Sequence, residues 1–445
     1  MSRIFRHILT ALALISFSAS ASFIGDTNGD GMVNITDLND LIDMILRGQY
    51  SSEYDLNNDG SLNISDVNDL IERIVNGIFE ERVERLVGGD ISMLTTFEAH
   101  QRQAWATGAK YAYYRDQNGQ RIDDVITWVK QQGWNAARVR LFVNPENASS
   151  TAKREGVLQN LDSVKVLGRR IKEAGMKFML DFHYSDTWAD PLAQTTPDAW
   201  ATLDDDALVQ QVYEYTRDCL RELKAAGAEP EYIQTGNEIS YGMLWGPAGT
   251  PQSQLKQCFS TSSEANWSRF ARLLTAAGQA CREECPQAKI ILHTERVPRT
   301  STLVGFYNQM KNRGVDYDII GLSYYPYFHG LMSVLNTALR AVTNSFPDKD
   351  VMIVETGYSY KYAMGDIDCT ATWPLTSAGQ RQFTIDLIAQ LKGYDSVKGL
   401  FWWYPEANEY GLGSLQVNAG WYNAGLWDHT TGRAMPALQE MKEFI

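Results

Sequence analysis

From about Arg85 onward, short apolar and β-branched runs alternate with longer stretches in which apolar residues return every three or four positions. The short runs predict eight strands: LVGGDI (86–91), AARVRLFV (136–143), KFMLDFHY (177–184), YIQTGNEI (232–239), KIILHTE (289–295), DIIGLSYY (318–325), VMIVETGY (351–358) and GLFWWYP (399–405). Between them, segments such as DDVITWVKQQG and LDSVKVLGRRIKEAG carry one apolar stripe each, as helices packed on a sheet must. Strand and helix in strict alternation predict an α/β domain over 86–445, with parallel strands closed into a (β/α)8, or TIM, barrel. Polar residues gather at the carboxyl ends of these runs: Asp90, Arg140, Asp181, His183, Asn237, Glu238, His293, Tyr325, Glu355 and Trp403. A purely structural strand end predicts apolar residues there, whereas barrel enzymes keep their chemistry on that face.

Ahead of Arg85 the pattern changes to a repeat. Residues 26–37 read DTNGDGMVNITD and residues 55–66 read DLNNDGSLNISD, each followed by a short amphipathic helical stretch. Calcium takes six or more oxygens from a tightly turned loop, and each copy supplies them at the required spacing. The first offers Asp26, Asn28, Asp30, the Met32 carbonyl, Asn34 and Asp37, with Gly31 at the turn. The second offers Asp55, Asn57, Asp59, the Ser61 carbonyl, Asn63 and Asp66, with Gly60 at the turn. Asx-rich turns also form without metal, but two copies in matching register favour two structural calcium ions. The last ligand is Asp where an EF-hand has Glu, and no long helix precedes either loop. This all-α unit, 23–80, resembles the dockerin module that attaches secreted polysaccharide-degrading enzymes to cohesin receptors. The resemblance implies a cohesin-like partner, although Ile35-Thr36 and Ile64-Ser65 replace the small polar pair common at that contact.

Residues 1–22 read as a secretory signal peptide: Arg3, Arg6 and His7, then the apolar run Ile8 to Phe17, then small residues around Ala19-Ser20-Ala21. That run is about half the ~20 apolar residues a membrane span requires. With no cysteine at the cleavage point, the expected location is secreted or periplasmic, without a lipid anchor. Five cysteines leave at least one unpaired, and Cys281 and Cys285, four apart on a helical segment, read as two buried thiols. Forty Lys and Arg against 54 Asp and Glu give a net charge of −14 over 445 residues, and with no basic run a nucleic-acid partner is excluded. Twelve Trp and 22 Tyr supply many flat faces of the kind that stack on sugar rings.

Two carboxylates stand out, Glu238 in TGNEIS and Glu355 in VETGY, on the fourth and seventh runs. Glycoside cleavage needs one carboxylic acid to protonate the leaving oxygen and one carboxylate to attack or to activate water. A lone Glu at a strand end is more often a salt-bridging or capping residue, but two on these strands look like clan A of the retaining glycoside hydrolases. The segments 181–200, 234–249, 318–330 and 351–359, with GWNAARVRLFVNP and GWYNAGLWD (420–428), resemble glycoside hydrolase family 53. These are endo-β-1,4-galactanases that act on galactan side chains of pectin, and the resemblance covers nearly all of 86–445.

By that resemblance Glu238 is the acid/base, Glu355 the nucleophile, and Asn237 binds the sugar 2-hydroxyl. Arg138 or Arg140, on one strand face, orients Glu355; Tyr324 or Tyr325 donates a hydrogen bond to it; Trp403 floors the cleaved sugar. Asp181 joins the substrate-binding set. Trp188, Trp200 and Trp245 stand open between packing and sugar subsites. His183 and His293 are expected to hydrogen-bond rather than bind zinc, because HExxH spacing is missing. No cofactor is expected in the reaction. Phe142, Phe328 and WWYPEANE (402–409) depart from the family pattern and bear on the outer subsites. Competing readings are a hydrolase of xylan or mannan on the same fold, and a non-catalytic galactan-binding scaffold protein.

Overall fold

The computed structural model describes residues 23–30, 32–51, 54–57, 59–78, 84–259, 263–417 and 421–445. The chain divides into two compact units, 1–84 and 85–445. The expected signal peptide, 1–22, and the turn residue Gly31 lie outside the described residues.

In the first unit, helix α1 (Ile35–Leu46) and helix α2 (Ile64–Asn76) each follow one of the repeated loops. Their apolar stripes meet in a small core of Val33, Leu41, Val67 and Leu70. Asn34 and Asn63 cap the helices, and Asp37 and Asp66 accept the cap residue's own N–H at 2.8 and 2.9 Å. Asp37 also accepts Thr27 N–H at 2.8 Å, and Asp66 accepts Leu56 N–H at 2.8 Å, so each last acid pulls the start of its loop onto its helix. Asp26, Asp37, Asp55 and Asp66 are buried.

The second unit is a closed barrel of eight parallel strands in sequence order, with β1 pairing to β8. The strands are β1 (Leu86–Asp90), β2 (Ala136–Leu141), β3 (Lys177–Phe182), β4 (Tyr232–Thr235), β5 (Lys289–Thr294), β6 (Ile319–Tyr324), β7 (Asp350–Thr356) and β8 (Val397–Trp403). Leu86, Ala136, Met179, Ile291, Ile319, Met352, Val354 and Phe401 fill the barrel interior, so its lower part is packed rather than hollow. A second, larger apolar layer joins the strands to the surrounding helices. Gly88 allows close strand approach: a Cβ there would lie 1.9 Å from the Ala136 carbonyl oxygen.

All eight predicted strands are present, but several stop earlier than their apolar patterns. The fourth apolar run reaches Ile239, yet β4 ends at Thr235 because Gly236 (φ 109°) turns the chain and Glu238 sits at φ 47°. A non-glycine residue at positive φ is strained, and such positions persist where packing holds them. Tyr184 (φ 48°) and Tyr404 (φ 53°), just past β3 and β8, share this conformation on the same rim. The cysteines Cys219, Cys258, Cys281, Cys285 and Cys369 are buried free thiols. Burial pushes Cys219, Cys258 and Cys285 up to about 12, which keeps them protonated and unreactive.

Candidate active site

The carboxyl ends of the strands converge on a buried polar cluster whose centre is Arg138. Being two apart on β2, Arg138 and Arg140 point to the same face, and both are fully buried. Arg138 Nη1 meets Asp90 Oδ2 at 2.7 Å, and its Nη2 lies 2.8 Å from Asp181 Oδ2 and 3.0 Å from Glu355 Oε1. Arg140 instead pairs with Asp90 Oδ1 at 2.8 Å. Of the two arginines left open by the sequence, Arg138 is therefore the one that orients Glu355, while Arg140 braces Asp90 behind it. Three carboxylates fan around one guanidinium, an arrangement that the planar fork of arginine permits and a lysine ammonium does not.

Glu355, near the end of β7, is only 5% exposed. Tyr325 OH donates to its Oε2 at 3.1 Å. The expectation of Tyr324 in this role is corrected: its hydroxyl donates to Gly330 O at 2.9 Å and its ring packs beside Phe383, away from the carboxylates. Tyr324 lies on β6 facing the helices, and Tyr325, one residue on, faces the opposite way.

Glu238 is half-buried on the turn beyond β4 and is held from behind by two residues. His293 Nδ1 faces Glu238 N–H at 3.3 Å, the Gln234 amide nitrogen at 2.9 Å and Asn237 Oδ1 at 3.1 Å; the two donors outnumber the one acceptor and favour the tautomer with the ring proton on Nε2. Nε2 donates to Ser323 Oγ at 2.7 Å, and Ser323 donates onward to Glu238 Oε1 at 2.7 Å. Burial and the Arg138 charge hold His293 well below the ordinary histidine range, so it stays neutral. The relay thus presents a hydroxyl donor to one Glu238 oxygen and leaves the other to carry a proton.

Asn237 is clamped at both ends of its amide, Oδ1 accepting from Arg138 at 2.9 Å and Nδ2 donating to Ala189 O at 2.8 Å. His183 Nε2 lies 3.0 Å from Asp181 Oδ2, and its Nδ1 accepts Ala189 N–H at 3.2 Å. Both histidines therefore take hydrogen-bonding positions. A carboxylate oxygen of Glu238, one of Glu355 and a ring nitrogen of His293 lie within 4.8 Å of one another.

Aromatic rings wall the site. Trp403 stacks over the Arg140 guanidinium at 4.6 Å and stands 6.1 Å from Trp188 and 6.3 Å from Trp421; Trp421 in turn is 5.5 Å from Tyr325. Trp188 thus joins the site. Trp200, packed on Tyr215, and Trp245, whose indole N–H donates to the Tyr241 carbonyl, are both buried among protein groups.

Several site residues escaped the sequence reading. Ser323 carries no distinguishing pattern. Gln234, a polar residue inside a short apolar strand, was a usable signal: buried, it donates to Asp181 at 2.6 Å. Glu295, just past β5, is buried against Arg296 and Ser240. Glu406, fully buried, accepts Met93 N–H at 2.8 Å and is pushed up to about 8 by burial and the Asp90 charge, so it is neutral at pH 7.

The electrostatics separate the two central acids. Partial burial, the Glu355 charge and the Glu295 charge raise Glu238 well above the ordinary carboxyl range. Burial raises Glu355 too, but Arg138 and the Tyr325 hydroxyl oppose it, so the proton shared by the pair resides on Glu238. One protonated and one ionised carboxyl across an aromatic-walled pocket can perform acid-assisted cleavage of an acetal.

Residues 86–441 match the family model described as Glycosyl hydrolase family 53. Among curated relatives, a "Probable arabinogalactan endo-beta-1,4-galactanase A" of Neosartorya fischeri is 32% identical over 72% of this chain and 83% of its own. The Ignisphaera aggregans GH53 catalytic domain superposes with a TM-score of 0.66 at 30% identity, covering 81% of this chain and 96% of that one. A structure from a study of two fungal beta-1,4-galactanases gives 0.64 at 27% identity, covering 80% and 98%. The matched span contains every strand of the barrel and both central glutamates, and the chain belongs to glycosyl hydrolase family 53.

Proposed function

We propose that this chain is a secreted endo-β-1,4-galactanase that cleaves with retention of configuration. The observation that carries the reading is the Glu238 and Glu355 pair, with oxygens within 4.8 Å and only Glu355 held by Arg138. Retaining enzymes keep their two carboxyl groups about 5–5.5 Å apart, whereas inverting ones leave about 6.5–9.5 Å for a water. In the first step a Glu355 oxygen attacks the anomeric carbon, the glycosidic C–O bond breaks, and the Glu238 proton passes to the departing oxygen. In the second, Glu238 takes a proton from water, the resulting hydroxide attacks the anomeric carbon, and Glu355 leaves as carboxylate. Galactan as substrate draws support from the galactanase relatives and from the ring wall of Trp188, Trp403, Trp421 and Tyr325. Galactose, with its axial 4-hydroxyl, offers such a wall one apolar face of C–H groups. The test is proton NMR of products from linear β-1,4-galactan, xylan and mannan. The expected result is short galactooligosaccharides appearing first as the β-anomer. Initial α-anomer would overturn retention, and faster release from xylan or mannan would overturn the substrate.

The first unit is proposed to bind two calcium ions and to dock on a cohesin-type partner. The donor chemistry fits: each loop carries three carboxylates and two side-chain amides of the right hardness, at Asp26, Asn28, Asp30, Asn34 and Asp37 and at Asp55, Asn57, Asp59, Asn63 and Asp66. Ile35 and Ile64, 61% and 67% exposed at matching positions of the two copies, supply a duplicated apolar contact for the partner. Calorimetry of the full chain tests the metal. EDTA is expected to lower one unfolding transition and leave the barrel's in place, because binding at 100 times Kd stabilises by about 2.7 kcal/mol per site. A thermogram indifferent to chelation and to added calcium would sink the assignment.

A further inference from the structure

A second concave site lies on the outside of the barrel unit, between helix α3 (Leu94–Ala106), helix α4 (Val125–Gln131) and the chain joining them. It encloses about 680 Å³, within the range of small-molecule sites, and none of its lining residues belongs to the Glu238 and Glu355 cluster. Trp105, 37% exposed at the end of α3, and half-buried Tyr113 stand 6.3 Å apart with their ring planes inclined by 51°. Gln101, one helical turn before Trp105, also lines the cleft. It is 7% exposed, and its amide nitrogen has no hydrogen-bond partner among the described residues. A buried amide left unpaired is costly, and a small turn of the Gln101 side chain toward the cleft would let a bound hydroxyl satisfy it.

Among the lining residues the charges cancel. Three guanidinium groups, Arg102, Arg121 and Arg170, face three carboxylates, Glu98, Asp123 and Asp124. Arg170 holds Glu98 in a two-pronged pair at 2.8 Å, and Arg121 holds Asp123 at 2.9 Å. The lining carboxylates are thus matched one for one by guanidinium groups, and two more cations, Lys110 and Arg115, lie over the Trp105 and Tyr113 rings at 5.2 and 4.8 Å. Two aromatic faces, one unpaired amide and a balanced set of planar polar groups are the recognition chemistry of a neutral sugar chain: C–H faces on rings, hydroxyls on amide and carboxylate.

We propose that this cleft is a secondary binding site for a neutral β-linked glycan, holding polymer on the enzyme away from the catalytic centre. The exposed side chains of Arg121 and Lys110 lie against the Trp105 ring at 5.3 and 5.2 Å. Both are exposed and on flexible stems, so a sugar face can displace them from the ring. Tyr114, next to the platform, is anchored through its hydroxyl to the Glu406 carbonyl at 2.6 Å, which fixes this wall to the segment following β8.

With galactan as its ligand, the site rests on the substrate proposed above; as a neutral-glycan site, it does not. The test is affinity electrophoresis of the full chain carrying Glu355→Gln through gels containing galactan, xylan or mannan. Trp105→Ala and, separately, Gln101→Ala are added to that background and also made in the active enzyme. Retardation by the preferred polymer is expected to weaken about threefold to tenfold in each variant, with kcat/KM on short soluble oligosaccharides unchanged. Unchanged retardation in both variants overturns the site, as does an equal fall in turnover of short substrates, which would mark a structural role. Loss of retardation by xylan or mannan alone would uphold the site and refute galactan as its ligand.

Discussion

Replacing Glu355 by Gln is expected to lower galactan turnover by about 10⁵-fold or more, an activation free-energy loss of about 7 kcal/mol, with the chain still folded. The amide cannot attack the anomeric carbon, so no covalent intermediate forms. Stability should change little, because Arg138 keeps Asp90 and Asp181 at 2.7 and 2.8 Å when the third carboxylate becomes neutral. Glu238→Gln is expected to behave differently. It removes the proton donor, worth about 10²–10⁴ in rate on galactan, yet an aryl galactoside whose leaving group needs no proton should still form the intermediate quickly. The pH profile of kcat/KM follows from the same asymmetry. Glu355 must be ionised, so activity falls as pH drops through its pKa. Glu238 must be protonated, so activity falls as pH rises through its own, which burial and the neighbouring charges raise further. The product is a bell, and Glu238→Gln should erase its alkaline limb on the activated substrate. An intact alkaline limb in that variant, or substantial galactan turnover by Glu355→Gln, would remove the assignment of roles.

How far the sequence reaches differs with the kind of interaction. The barrel was legible because burial on both faces writes near-continuous apolar runs, and because helical stripes between them leave parallel pairing as the only closure. Glu238 and Glu355 were legible because the two together, in TGNEIS on the fourth run and VETGY on the seventh, resemble the retaining clan, where a lone strand-end acid reads as a salt bridge or a cap. Which arginine lies beneath Glu355 was not, since residues two apart share a face and only inter-strand register separates them: Arg138 stands beside Asp90 in the β1–β2 register, one layer below Arg140. Tyr324 and Tyr325 were inseparable for a related reason. A one-residue difference flips the side chain to the other face, and β6 carries a register shift at Leu322/Ser323 that no residue type announces. Ser323 itself was invisible because its role depends entirely on His293 and Glu238, which meet only in the folded barrel. Trp200 and Trp245 show the converse limit: composition counts aromatic faces but does not say which way they point.

Arg138→Met is expected to destabilise the barrel by roughly 3–5 kcal/mol at neutral pH, read from urea midpoints, the largest stability loss of any single change in the site. The methionine fills much of the volume but leaves Asp90, Asp181 and Glu355 facing one another in a buried space without their shared cation. The penalty is one of stranded charge, so it must depend on pH, and the sign follows from Asp181. Burial pushes that carboxyl upward, but Arg138 and His183 outweigh burial and hold it below its ordinary value. A depressed folded pKa stabilises the fold above the unfolded value near 4, and the contribution is lost as pH falls through the folded value. In Arg138→Met that contribution is absent and the acids bind protons more tightly than in the unfolded chain, so the variant loses stability as pH rises. The gap between wild type and variant should be widest from about pH 6 upward and should narrow steadily toward pH 4, where the three acids can share protons. Adding Asp90→Asn, which removes one of the repelling charges, should recover part of the loss at pH 7 while weakening the wild-type background, a coupling that a double-mutant cycle measures directly. A destabilisation that is the same at pH 4 and pH 7 would mean that packing, and not the charge of Arg138, holds this end of the barrel together.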